Sequence, residues 1–163
     1  MLLNNRQCNY VWNRVYSELK FCPSCKYRGH SFNVKLPFEI KKPYIVYAIE
    51  NMTDEQCNIM GDIISDCFIE ATNENDRIYA LDWEHAGFIC NPRNPNDWQC
   101  EDRFFPGFYP DGDYYFFISK DFRFGYLGHP WRQEIWIFGT DLINAVSGKT
   151  HLLGWTEKKR SIL

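Results

Sequence analysis

The sequence contains no uninterrupted apolar run near the roughly 20 residues that a membrane-spanning helix requires. Its opening, Met1-Leu2-Leu3-Asn4-Asn5-Arg6, turns polar at once and lacks the apolar centre of a signal peptide. A cytoplasmic protein outside the membrane is therefore expected. Basic excess is missing too: 18 Lys and Arg stand against 21 Asp and Glu, for a net charge of -3. That balance removes the positive footprint of a general nucleic-acid binder. There is no Gly-rich phosphate loop with its Lys, no G-x-S-x-G elbow and no H-E-x-x-H pair. Nucleotide hydrolysis, the usual hydrolase triad and the usual zinc-protease chemistry lose their sequence support with them. Linkers, repeats and low-complexity tracts are also absent, so 163 residues are expected to make one domain over 1-163.

Aromatic residues are what the chain has in excess, at 18%: 13 Phe, 10 Tyr and 6 Trp. Rings bury more area per side chain than any other group, and Tyr and Trp add a polar handle that suits interfaces. Seven cysteines (8, 22, 25, 57, 67, 90 and 100) form an odd set in a chain long enough to hold a core without staples. They are expected to be reduced and mostly buried, acting as small hydrophobes.

Val11, Trp12, Val15, Tyr16 and Leu19 recur at helical spacing, and Pro23 closes that amphipathic helix. Phe32 to Phe38 alternates imperfectly, and Tyr44 to Ile49 reads as a strand. Thr53 and Gln56 form a capping box ahead of Met60, Ile63, Ile64, Cys67 and Phe68, a second helix ending near Asn73. Ile78 to Trp83 and Ala86 to Cys90 are short extended runs, followed by a Pro- and Asn-rich loop from Asn91 to Gln99. Asp111-Gly112 marks a hairpin tip ahead of a ring-rich strand to Ile118, covered on both faces. Lys120 to Pro130 reads as a turn segment because it holds Gly125, Gly128 and Pro130. Trp131 to Phe138 is a further strand, Thr140 caps a short final helix closed by Gly148, and the charged tail from Glu157 to Arg160 is expected to fray. The fold class is α+β: a mostly antiparallel sheet with two main helices on one face and a short C-terminal helix.

Four constellations bear on chemistry. Cys22 and Cys25, with His30, supply one close pair where a structural zinc site needs two, so an ordinary turn is the better reading. Asp82-Trp83-Glu84-His85 puts acids beside a histidine at a strand end. Alternation would send Asp82 and Glu84 to one face, Trp83 and His85 to the other. Asp111 and Asp113 are suited to capping backbone amides. His129, between Gly128 and Pro130 and followed by Trp131, sits on a restricted backbone within reach of either carboxylate. Asp82, His85, Asp111, Asp113, Arg123, His129 and Trp131 together make the candidate binding pocket, with no metal or other cofactor and no catalytic residue assigned.

The blocks Tyr109 to Phe117, Asp121 to Gly125, Gly128 to Trp131 and Ile137 to Gly139 resemble the DUF2716 family of bacterial proteins. Ala80 to His85, and Trp12 with Tyr16 and Phe21, are similar to its second block and opening helix. The family often has Gln where this chain has Glu84, and Glu where it has Arg132; the latter change removes an acid beside His129. The resemblance implies a bacterial or phage-encoded cytoplasmic protein and brings no activity with it. The ring-rich, acidic composition and the missing catalytic set point to a non-catalytic binding protein with a protein partner, such as an immunity, antitoxin-like or phage-defence protein. A small-ligand binder or enzyme using the His/Asp pocket is the alternative.

Overall fold

Four helices flank a seven-stranded antiparallel sheet in this computed structural model, which describes residues 1-23 and 36-162. The helix α1 (Asn5–Glu18) is followed among the described residues by β1 (Tyr44–Ala48) and α2 (Asp54–Ala71). Then come β2 (Ile78–Asp82), β3 (Gly87–Cys90), β4 (Tyr115–Ser119), β5 (Gly125–His129) and β6 (Glu134–Phe138). The chain closes with α3 (Thr140–Ser147), α4 (Thr150–Leu153) and β7 (Thr156–Ser161). Strand order across the sheet is β3-β2-β4-β5-β6-β1-β7. Cys25, His30 and the first part of the Phe32 to Phe38 run lie outside the described residues, and 36-38 form no strand.

The α+β class and the antiparallel sheet are as the sequence implies, but the helices do not share one face. Val11, Val15 and Leu19 of α1 and its end pack with Phe116, Leu127, Trp136 and Phe138 on one side. Met60, Ile64 and Phe68 of α2 and Leu142 of α3 pack with Phe117, Tyr126 and Ile137 on the other. The reason is visible in β4, where successive residues point to opposite faces. Phe116 meets Trp12 at 5.2 Å and Phe21 at 5.0 Å between ring centres, while Phe117 meets Phe108 at 4.3 Å. A strand with rings on both sides needs a cover on both, and the two helices divide that task.

The capping box of α2 is present as read: Gln56 N donates to Thr53 Oγ1 at 3.2 Å, and Thr53 N donates to Gln56 Oε1 at 2.9 Å. Thr140, in contrast, is the first residue of α3; Gly139 is its cap, with no side-chain bond. Asp111-Gly112 lies at a bend but not at a hairpin tip, since no strand ends just before it and β4 pairs with β2 and β5 instead. The segment read as turns holds β5, all five of whose residues are buried. Its glycines answer to close approach rather than to turning. A Cβ at Gly125 would lie 2.5 Å from the Phe138 ring, and one at Gly128 would lie 3.0 Å from Pro110. The charged tail is likewise ordered as the edge strand β7, paired with β1. Lys and Arg on such an edge discourage pairing with further strands.

All six described cysteines are free. Only Cys67 and Cys90 are buried, so the expectation of mostly buried thiols is too broad. Burial pushes the Cys67 thiol up to about 11 and the Cys90 thiol up to about 12, which leaves both protonated and unreactive at neutral pH.

Candidate functional site

One register row crosses the sheet from Asp82 through Tyr115, Gly128 and Ile135 to Tyr47, and marks the end where β2 stops. The strand does not continue through Trp83. Asp82 N donates to Ala86 O at 3.2 Å and His85 N to Asp82 O at 3.1 Å, closing a tight β2–β3 turn. Glu84 takes the left-handed conformation that such a turn requires, with φ 62°. Strand alternation therefore fails here. The turn folds His85 back over Asp82, so His85 Nδ1 lies 3.2 Å from Asp82 Oδ1 and 3.4 Å from Asp113 Oδ2. Trp83 goes to the α1 side, where its indole N–H donates to Tyr16 Oη at 2.9 Å.

Three groups with three different environments meet at this point. Asp82 is buried at the strand end, Asp113 is half-buried, and His85 is exposed. Burial raises the Asp82 carboxyl above its ordinary value, against the opposing pull of His85. Asp82, with help from Asp113, raises the His85 imidazole. Asp113 Oδ1 accepts from Tyr114 N at 2.7 Å, which turns Oδ2 toward His85. Asp82 and His85 open into a cleft of about 660 Å³ beside β3, lined also by Glu84, Leu2, Arg103 and Phe104. Phe104 is 62% exposed and its ring stands 6.0 Å from that of Tyr115. Nothing in the spacing of Leu2, Arg103 or Phe104 signals a shared site, because they arrive from the chain start and from an irregular segment.

The remaining residues of the sequence-derived pocket go elsewhere. His129 ends β5 fully buried and stacks edge-on against Tyr114 at 4.7 Å. Arg132 N donates to His129 Nδ1 at 3.3 Å, so the neutral ring carries its proton on Nε2, facing Tyr114 Oη at 3.4 Å. Burial pushes this imidazole down to about 4. His129 is thus a neutral packing group rather than an acid or base at pH 7. An acid does stand beside it: Glu134, its partner across the β5–β6 pair. Glu134 accepts from Arg132 Nε at 2.8 Å, Lys158 Nζ at 2.9 Å and Trp136 Nε1 at 3.2 Å. Burial alone would raise its carboxyl, but Arg132 and Lys158 outweigh that and hold it below the usual value. Sequence reading missed this hub because Lys158 belongs to a tail read as frayed.

Arg123 lies at the opposite end of the sheet, just before Gly125 of β5. It pairs there with Asp76, with Asp121 at 3.4 Å and with Asp141 at 3.5 Å. Asp111 is exposed, and its backbone carbonyl accepts from Tyr115 Oη at 3.2 Å. Trp131 is exposed in the β5–β6 turn. Of the seven candidates, only Asp82, His85 and Asp113 converge, and they do so in an arrangement able to hold a cation or to orient an exposed imidazole.

Residues 2–143 match the family described as "Protein of unknown function (DUF2716)". The chain is also similar to "Uncharacterized protein YxiI" of Bacillus subtilis (strain 168), with 30% identity over 93% of this chain and 94% of that protein. No solved structure matches. The blocks around Asp82 to His85 and from Tyr109 onward that carry the resemblance are the ones that build the turn, the cluster and the central strands, and the chain belongs to the DUF2716 family.

Proposed function

We propose that this is a non-catalytic cytoplasmic binding protein that acts through a partner protein, in the manner of an immunity, antitoxin-like or phage-defence component. The β2–β3 cleft is its contact. One observation carries the reading: two acids, Asp82 and Glu84, and two exposed apolar groups, Leu2 and Phe104, line the same cleft at one edge of the sheet. A basic side chain on an apolar segment would match both, and exposed aromatics at a polar rim are the usual anchors of such contacts. His129 is fixed as a neutral group inside the fold.

A photo-crosslinking amino acid at Phe104, expressed in the native host, tests this. The expected result is one dominant protein adduct from Phe104, weakened in an E84K background. The same probe at exposed Leu152, in the α4 segment that leads into β7, should give none. Equal adducts from both positions, or none from Phe104, overturn the reading. The second reading, a small-ligand site, is favoured by the exposed His85 at the cleft mouth. A small molecule retained in native mass spectra and lost in H85A would select it.

A further inference from the structure

We propose that Asp82, His85 and Asp113 form a binding site for one divalent transition-metal ion of the zinc class, held through Asp82 Oδ1, His85 Nδ1 and Asp113 Oδ2. The site lies in the cleft described above but does not depend on a protein partner there.

The two separations from the imidazole fit a metal. Ligand atoms about 2.1 Å from a tetrahedral ion stand about 3.4 Å from one another. His85 Nδ1 is 3.2 Å from Asp82 Oδ1 and 3.4 Å from Asp113 Oδ2, and the three residues bring one ligand atom each to within 4.8 Å of one another.

A proton does not account for the arrangement as well. One ring nitrogen faces two carboxylate oxygens, and a single N–H can be directed at only one of them. Of the two, the Asp82 oxygen is in the more demanding place. The Asp82 side chain is 8% exposed, and its Oδ1 is buried with no hydrogen-bond partner. A buried carboxylate oxygen without a donor is costly, and a cation shared by all three atoms would remove that cost.

The supporting contacts are also those a metal site uses. Ligating carboxylates are commonly oriented through their second oxygen. Asp113 Oδ1 accepts from Tyr114 N at 2.7 Å, leaving Oδ2 turned inward. Asp82 and His85 are fixed by the backbone bonds of the β2–β3 turn. One imidazole with two carboxylates suits zinc or manganese better than magnesium or calcium, which favour all-oxygen shells. Three protein ligands leave a fourth position open to the cleft, where a water or a group of the bound partner can enter.

Zinc titration by calorimetry on the full chain carrying C22S and C25S tests the site without interference from the other close donor pair in the sequence. Binding of one ion per chain is expected. D82N, D113N and H85A should each weaken it at least tenfold, and E74Q, at an exposed position beyond the other end of β2, should leave it unchanged. H85A and D113N alter groups exposed enough to leave folding intact, which circular dichroism checks. Cobalt(II) substitution should give visible absorption bands of a low-coordinate site, shifted in H85A. Absence of stoichiometric binding, or equal affinity in D82N, D113N and H85A, overturns the proposal. Crosslinking at Phe104 in metal-stripped protein is read separately, so loss of one proposal leaves the other standing.

Discussion

A histidine's surroundings decide what it can do, and this chain holds two that are opposites. His85 stands at the mouth of a cleft with carboxylates behind it, so its charged form is favoured. His129 has no exposure, and its ring nitrogens face an amide and a phenol, so its neutral form is favoured. For His129 the folded pKa is depressed. The unfolded chain therefore binds the extra proton between the ordinary value of 6.5 and about 4. The stability it contributes is complete above the unfolded pKa and is lost as pH falls through that window. The difference is worth on the order of 3 kcal/mol. Urea unfolding of the wild type should show this decline between those pH values, and H129Q should lose most of the slope. An unchanged slope in H129Q would assign the pH dependence to other groups. Both histidines carry the same sequence signal, a polar residue beside turn formers, and nothing local separates them. The difference lies in what the segment entering β4 brings: Asp113 to one, Tyr114 to the other.

At the scale of the element, glycine explains both a failure and a success of sequence reading. Gly125 and Gly128 resemble turn residues because glycine is common in turns, yet they make the central strand β5 possible. Phe138 on β6 lies across Gly125, so the strand needs a residue without a Cβ. G125A should destabilise the fold by roughly 2–3 kcal/mol through overpacking. Gly61, in the middle of α2, has nothing within 4 Å of a would-be Cβ. G61A should stabilise by about 0.5–1 kcal/mol, because glycine only adds unfolded-state freedom there. Thermal unfolding midpoints moving in the same direction for both variants would contradict this account. The helices α1 and α2 were legible because their signals are local: periodic apolar residues, and for α2 a capping box. β7 was not, since every residue from Thr156 to Arg160 is exposed and its strand character comes only from pairing with β1.

Across the whole molecule, one sheet separates two apolar layers, and adjacent residues of the same strands belong to different layers. Neither layer can be lost without withdrawing support from the strands that hold the other. Unfolding should therefore be a single transition. Tryptophan fluorescence, from Trp12, Trp83 and Trp136 on the α1 side and Trp98 and Trp155 on the other, should give the same urea midpoint as far-UV circular dichroism. Two separated midpoints would show that the layers unfold independently. No helix among the described residues is long and apolar enough to cross a membrane. The sequence by itself determined the α+β class, the two long helices, most of the strands and the family, because these follow from periodicity, caps and motif blocks carried within short stretches. Only the tertiary structure decided that the helices take opposite faces, that Gly125 to His129 is a strand, and that the seven candidate residues part into separate neighbourhoods. Those outcomes depend on strand order and register, which bring Asp113 to His85, Lys158 to Glu134 and Asp141 to Arg123 across intervals of chain that no local pattern spans.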